Sequence, residues 1–186
     1  LEENKGRIIT KKEEGMKTRF TQGAVVIITV VLLYLTFHPL VINSKKEVDY
    51  KPHKLISKGE IVNVLENYDF DSGKWEMYLI IAESDKVSIS KDIPNGNIFK
   101  TEDKNLLKEM KKNCRFIYEK SDIATIESEI FLLKNENIVF RGGIVLDENM
   151  QGLQLPNYGW LKVSSRKALS KYCKRLNRVY SPIVIL

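Results

Sequence analysis

The sequence is short of the residues that build most chemical sites. Two cysteines in 186 residues exclude a disulfide scaffold and a four-ligand zinc centre. Two histidines leave little room for imidazole-based metal chemistry. There is no Gly-x-Ser-x-Gly elbow, P-loop, His-Glu-x-x-His pair, dinucleotide fingerprint or Cys-x-x-Cys. A Ser-His dyad would have to use His53, which follows Pro52 in a polar stretch. Carboxylate pairs occur at Asp69 with Asp71 and at Glu127 with Glu129, in turn or strand segments where solvation accounts for them. With no cofactor motif and no nucleophile beside a base, the sequence reads as a non-enzyme without cofactor, metal or catalytic residues.

What is present is unevenly spread. The chain is 43% hydrophobic and 29% charged, which excludes a disordered tail, a collagen-like repeat and a multi-span membrane protein. From Gly23 to Ile42 it reads GAVVIITVVLLYLTFHPLVI, without one charged residue. Twenty helical residues rise about 30 Å, the thickness of a bilayer's hydrocarbon core. Residues 23–42 are therefore expected to be a transmembrane signal anchor. Phe37 to Asn43 offers no small-x-small cleavage site, so the anchor is expected to stay uncleaved. His38 and Pro39 mark its exit, where proline kinks or ends the last turn. Residues 1–22 are expected to form a cytoplasmic tail. Its first fifteen residues mix Glu and Lys, and Met16 opens a more usual charged leader. Residues 43–52 read as a tether, and 53–186 as one periplasmic domain.

The expected fold is α+β: the transmembrane helix, then an antiparallel-sheet domain with two helices. Glu60–Glu66 and Trp75–Ala82 read as a hairpin around the turn at Asp69–Lys74. Lys86–Ser90 reads as a third strand. A helix is expected after Thr101 as its cap, with Leu106, Leu107, Met110 and Cys114 as its apolar stripe. Ile130–Leu133 and Ile138–Leu146 flank a polar turn, with Gly142-Gly143 suggesting a bulge. Gln151-Gly152 reads as a turn and Trp160–Val163 as a strand. The last helix is expected over 165–177, with Ala168, Leu169, Tyr172, Cys173 and Leu176 on one face.

Two features point outward from this core. Cys114 and Cys173 lie on the apolar stripes of the two helices, and two cysteines in an exported domain are expected to pair as a fold staple. Such a bridge closes a loop of about 60 residues, worth about 4 kcal/mol in the chain-entropy model. The apolar end Ile183, Val184, Ile185 and Leu186 needs pinning, as an edge strand or against a partner, and these four are the candidate partner contacts. The net charge is +6. From Asn149 onward there are seven basic residues and no acidic one, which reads as a solvated helix face or as a contact for lipid head groups or an acidic partner. No helix-turn-helix or RNA-binding motif supports direct nucleic-acid binding.

The layout of a short basic leader, one apolar segment (Gly23–Ile42) and one exported α+β domain resembles the small membrane-anchored accessory proteins of ToxR-like transmembrane activators, of the ToxS and PsaF/MyfF types. The resemblance is architectural and carries no functional residue across. It implies a single-pass protein of the bacterial inner membrane, with its C-terminal domain periplasmic. Such a protein binds and stabilises a co-encoded transmembrane transcriptional activator and helps it respond to envelope signals in virulence or fimbrial regulation. Two alternatives stand beside it: a membrane-tethered assembly factor or chaperone for secreted or fimbrial subunits, and a small lipophilic-ligand binder built on a closed, barrel-like sheet.

Overall fold

The computed structural model describes residues 21–43, 48, 56–122, 126–165 and 168–186. The expected tail over 1–20, most of the tether with His53, and Arg166 and Lys167 lie outside the described residues. Contacts divide the chain into two compact units, Leu1–Leu40 with Tyr180–Val184, and Val41–Val179 with Ile185–Leu186.

In the first unit the apolar segment forms helix α1 over residues 21–37. Its rise is about 25 Å. Among the described residues no helix is long and apolar enough to cross a membrane, so the expected transmembrane helix over 23–42 is corrected. The physical reason lies at its exit. Pro39 has no N–H and disfavours helical backbone in the residue before it. The last helical bond there is His38 N–H to Tyr34 O at 3.0 Å, and Leu40–Ile42 then runs extended as strand β1. The apolar segment is thus helix followed by strand. β1 belongs to a two-stranded sheet with β11, Ile183–Ile185. Leu40 N–H donates to Pro182 O at 3.0 Å in the first unit, and Leu186 N–H donates to Ile42 O at 2.9 Å in the second.

The second unit is built on a nine-stranded antiparallel sheet. Its strands are β2 (Ile61–Val62), β3 (Trp75–Ile80), β4 (Ile98–Thr101), β5 (Phe116–Tyr118), β6 (Glu129–Lys134), β7 (Asn137–Leu146), β8 (Gln151–Leu155), β9 (Gly159–Val163) and β10 (Asn177–Arg178). They lie in the order β10-β4-β3-β6-β7-β8-β9-β5-β2. Among the described residues nothing pairs β10 with β2, so the sheet is open. Helices α2 (Lys104–Asn113) and α3 (Ala168–Cys173) pack in this unit, so with α1 there are three α-helices among the described residues. The fold is α+β with an antiparallel sheet.

The β6–β7 hairpin has the expected turn, because Asn135 and Glu136 adopt the positive φ that a tight turn needs. Its register shift falls between Leu132 and Leu133, and Gly142 pairs regularly with Ile130. Gly142 serves packing instead, since a Cβ there would lie 2.4 Å from Leu155 Cδ2. The expected hairpin of 60–66 with 75–82 does not form. β3 pairs with β4 and β6, and β2 shortens to two residues against β5. Ser84–Val87 is a 3₁₀ turn, not a strand, and Val87 is exposed. The cap of α2 is Asp103, whose carboxylate accepts from Asn105 N–H at 2.8 Å, while Thr101 belongs to β4. Gln151-Gly152 lies inside β8, and α3 is shorter than expected because residues 177–178 leave it to pair with β4.

β3 and β6 are buried on both faces. Leu79, Leu107, Leu132 and Leu161 are wholly inaccessible, and the stripe Leu106, Leu107, Met110 and Cys114 faces this core as its spacing predicts.

Candidate functional site

Among the described residues the most extensive exposed apolar surface lies on α1. Val25, Val26, Ile27, Ile28, Val30, Val31, Leu32, Leu33, Tyr34 and Phe37 are all exposed, which covers every face of the helix. Isolated exposed leucines need no explanation, but a continuous apolar cylinder marks a surface that something else covers. The helix also hides its own polarity. Thr29 Oγ1 donates to Val25 O at 2.9 Å and Thr36 Oγ1 to Leu32 O at 2.8 Å. Tyr34 stacks on His38 with ring centroids 4.7 Å apart. Hydroxyls that bond back into their own helix cost it a little in water, but they leave no donor unmet in an apolar setting. The four tail residues alternate. Ile183 and Ile185 are exposed, while Val184 and Leu186 are buried. As candidate contacts, only the first two present side chains on the folded protein.

Cys114 and Cys173 come together in the second unit. Cys114 follows the last residue of α2, Cys173 ends α3, and both are buried free thiols in one core. Desolvation pushes each thiol up to about 12, and the neighbouring Cys114 adds to the rise at Cys173. Across the same helix pair, Asn113 Nδ2 donates to Tyr172 OH at 3.0 Å, and Arg175 meets Glu109 at 2.6 Å. Arg175 and Lys171 both reach Glu109, so part of the basic end is neutralised locally.

The paired carboxylates have separate structural partners. Asp69 accepts the Asp71 N–H, which holds its carboxyl below the usual range, and Asp71 pairs with Lys108. Glu127 accepts from Ser84 Oγ at 2.6 Å, while Glu129 is bound by Arg141 at 2.7 Å. Gly142-Gly143 sits in the regular β7 ladder. Among the described residues no group of three His, Cys, Asp or Glu could hold a metal ion.

Two features escaped the sequence. One is a cleft of about 220 Å³ where Ile89, Ile144, Leu146 and Met150 form an apolar lining, with Asp85 and Asp147 beside it. Asp85 is occupied there, accepting the Ser128 N–H at 2.7 Å and the Glu127 N–H at 3.3 Å. The other is an ion network around the buried Glu76 of β3. Glu76 is met by Lys74 at 2.7 Å and Lys100 at 3.1 Å, and Lys100 in turn by Glu102 at 2.6 Å. The alternation of β3 and β4 places these groups, but nothing in either strand's sequence announces the pairing.

No protein-family model, curated protein or solved structure matches the chain.

Proposed function

We propose that the protein is an accessory subunit that binds and stabilises a transmembrane regulatory partner at the bacterial inner membrane. Its sheet-bearing unit lies on the periplasmic side in this proposal, as the resemblance to ToxS-type proteins implies. The observation that carries the proposal is α1, with exposed apolar side chains on every face and the Thr29 and Thr36 hydroxyls turned back onto its own carbonyls. A helix of this kind is stable when an apolar helix of another protein, or the lipid around that helix, covers it. The mechanism is linkage. An accessory that binds only the folded regulator raises the regulator's stability by mass action. Holding both at one membrane raises their effective concentration.

The test is a photo-crosslinking residue at Val30 in the full chain, expressed in its native host, with Lys162 on the exposed side of β9 as control. The expected product is a covalent adduct, from Val30 only, with a protein that carries both a transmembrane segment and a DNA-binding domain. That protein's half-life should fall several-fold when the accessory is deleted. Adducts with lipid alone, together with an unchanged lifetime of the regulator, would refute the role.

A further inference from the structure

The two thiols are nucleophilic groups that the partner-binding role leaves unused. They sit where α2 and α3 are fastened together. Asn113, the residue before Cys114, bonds through its side chain to Tyr172, the residue before Cys173. Glu109 and Arg175 tie the same two segments at 2.6 Å. Both cysteines are buried to 1% exposure in a single core, and each is the other's one possible partner within the chain. Burial that holds a thiol protonated also makes it inert, because the thiolate is the species that attacks a disulfide. In the open chain that restraint is absent.

We propose that Cys114 and Cys173 are joined as a structural disulfide while the protein folds, by exchange with an external disulfide oxidant, and are then sealed inside the core. The thiolate of one cysteine attacks the oxidant's disulfide and expels one of its sulfurs as a thiolate, leaving a mixed disulfide. The second cysteine's thiolate attacks the protein sulfur of that mixed disulfide and expels the other. The protein gives up two protons and two electrons, and the oxidant's two sulfurs leave as thiols. The bridge is independent of the partner-binding role, and its test does not involve a partner.

The full chain, unfolded and reduced, is refolded in a buffer of reduced and oxidised glutathione, and in parallel with reductant only. The first product should be lighter by the mass of two hydrogen atoms. It should yield one peptide pair linked through Cys114 and Cys173, and it should resist maleimide until it is denatured and reduced. Its melting midpoint should lie about 10 °C above that of the reduced protein. Reduced protein that is already folded should oxidise at least tenfold more slowly than the unfolded chain in the same buffer. A folded product that keeps two free thiols at equilibrium, or that forms disulfide-linked dimers instead, overturns the proposal. The variant carrying Cys114→Ser and Cys173→Ser should melt at one temperature in both buffers. A redox-dependent shift that persists in it also overturns the assignment.

Discussion

Gly152 is the position at which one added carbon should do the most damage. It lies within β8 between two neighbours, paired with Val145 of β7 and Lys162 of β9. A Cβ on it would stand 2.3 Å from Leu161 O and 2.4 Å from Trp160 Cη2. The first obstacle is backbone held in a ladder, and the second is an indole buried to 4% exposure, so neither moves aside cheaply. Overpacking of this kind costs about 1–3 kcal/mol, and two rigid neighbours place Gly152→Ala near the upper bound. Replacing glycine also removes about 0.4–1 kcal/mol of unfolded-state freedom, which opposes the loss. The net destabilisation is about 2 kcal/mol, equivalent to a fall in Tm of about 4–8 °C for a chain of this size. Near-ultraviolet circular dichroism suits the measurement, since one of the chain's two tryptophans is the residue displaced. The Trp160 signal should change at temperatures where the variant is still folded. A Tm equal to or above that of the wild type would refute the packing argument.

Three further outcomes follow from other parts of the fold. Burial raises the pKa of Glu76, but hydrogen bonds from Lys74 and Lys100 outweigh it and hold the carboxyl below its ordinary 4.5. Its stabilising contribution is therefore complete above about pH 4.5 and is lost as pH falls through the lower folded value. Glu76→Gln should flatten the acid limb of a Tm-against-pH curve, and parallel curves would count against this. Asp103→Ala should cost about 1 kcal/mol through the lost cap of α2, with Asp103→Asn recovering most of it in urea titration. Tyr172→Phe should cost about 1 kcal/mol, measured the same way, because the hydrogen bond from the Asn113 amide to the phenol of the buried Tyr172 is lost.

The parts of the fold legible in the sequence are those fixed by local pattern. The β6–β7 hairpin follows from two apolar runs around Lys134–Asn137, and the buried side of α2 follows from its helical spacing. The errors occur where long-range pairing overrode local signals. Ile61 and Val62 look like half of a hairpin with the following strand, yet their partners are Phe116 and Ile117. Gln151-Gly152 has turn chemistry, but the glycine is there to make room for Trp160. Val87 and Ile89 alternate like a strand, while only Ile89 reaches a neighbour, through a single bridge to Asp147. The apolar run at 23–42 is continuous in hydropathy and not in backbone, because Pro39 divides it into helix and strand. At the candidate sites, the positions of Cys114 and Cys173 on buried stripes were readable. That their neighbours Asn113 and Tyr172 bond to each other was not, since it depends on how α2 meets α3.

The pairing of β1 with β11 has a consequence for the order of events at the ribosome. Strands β6, β7 and β8 each pair with the next strand in sequence, so that meander closes as it emerges. β1 has to wait until Ile183–Ile185 has been made. Throughout that interval the greasy segment of α1 is already made, and the strand behind it has an open edge. Whatever apolar shelter is nearest during synthesis receives this segment first, so its surroundings are chosen before its own chain can complete the zipper.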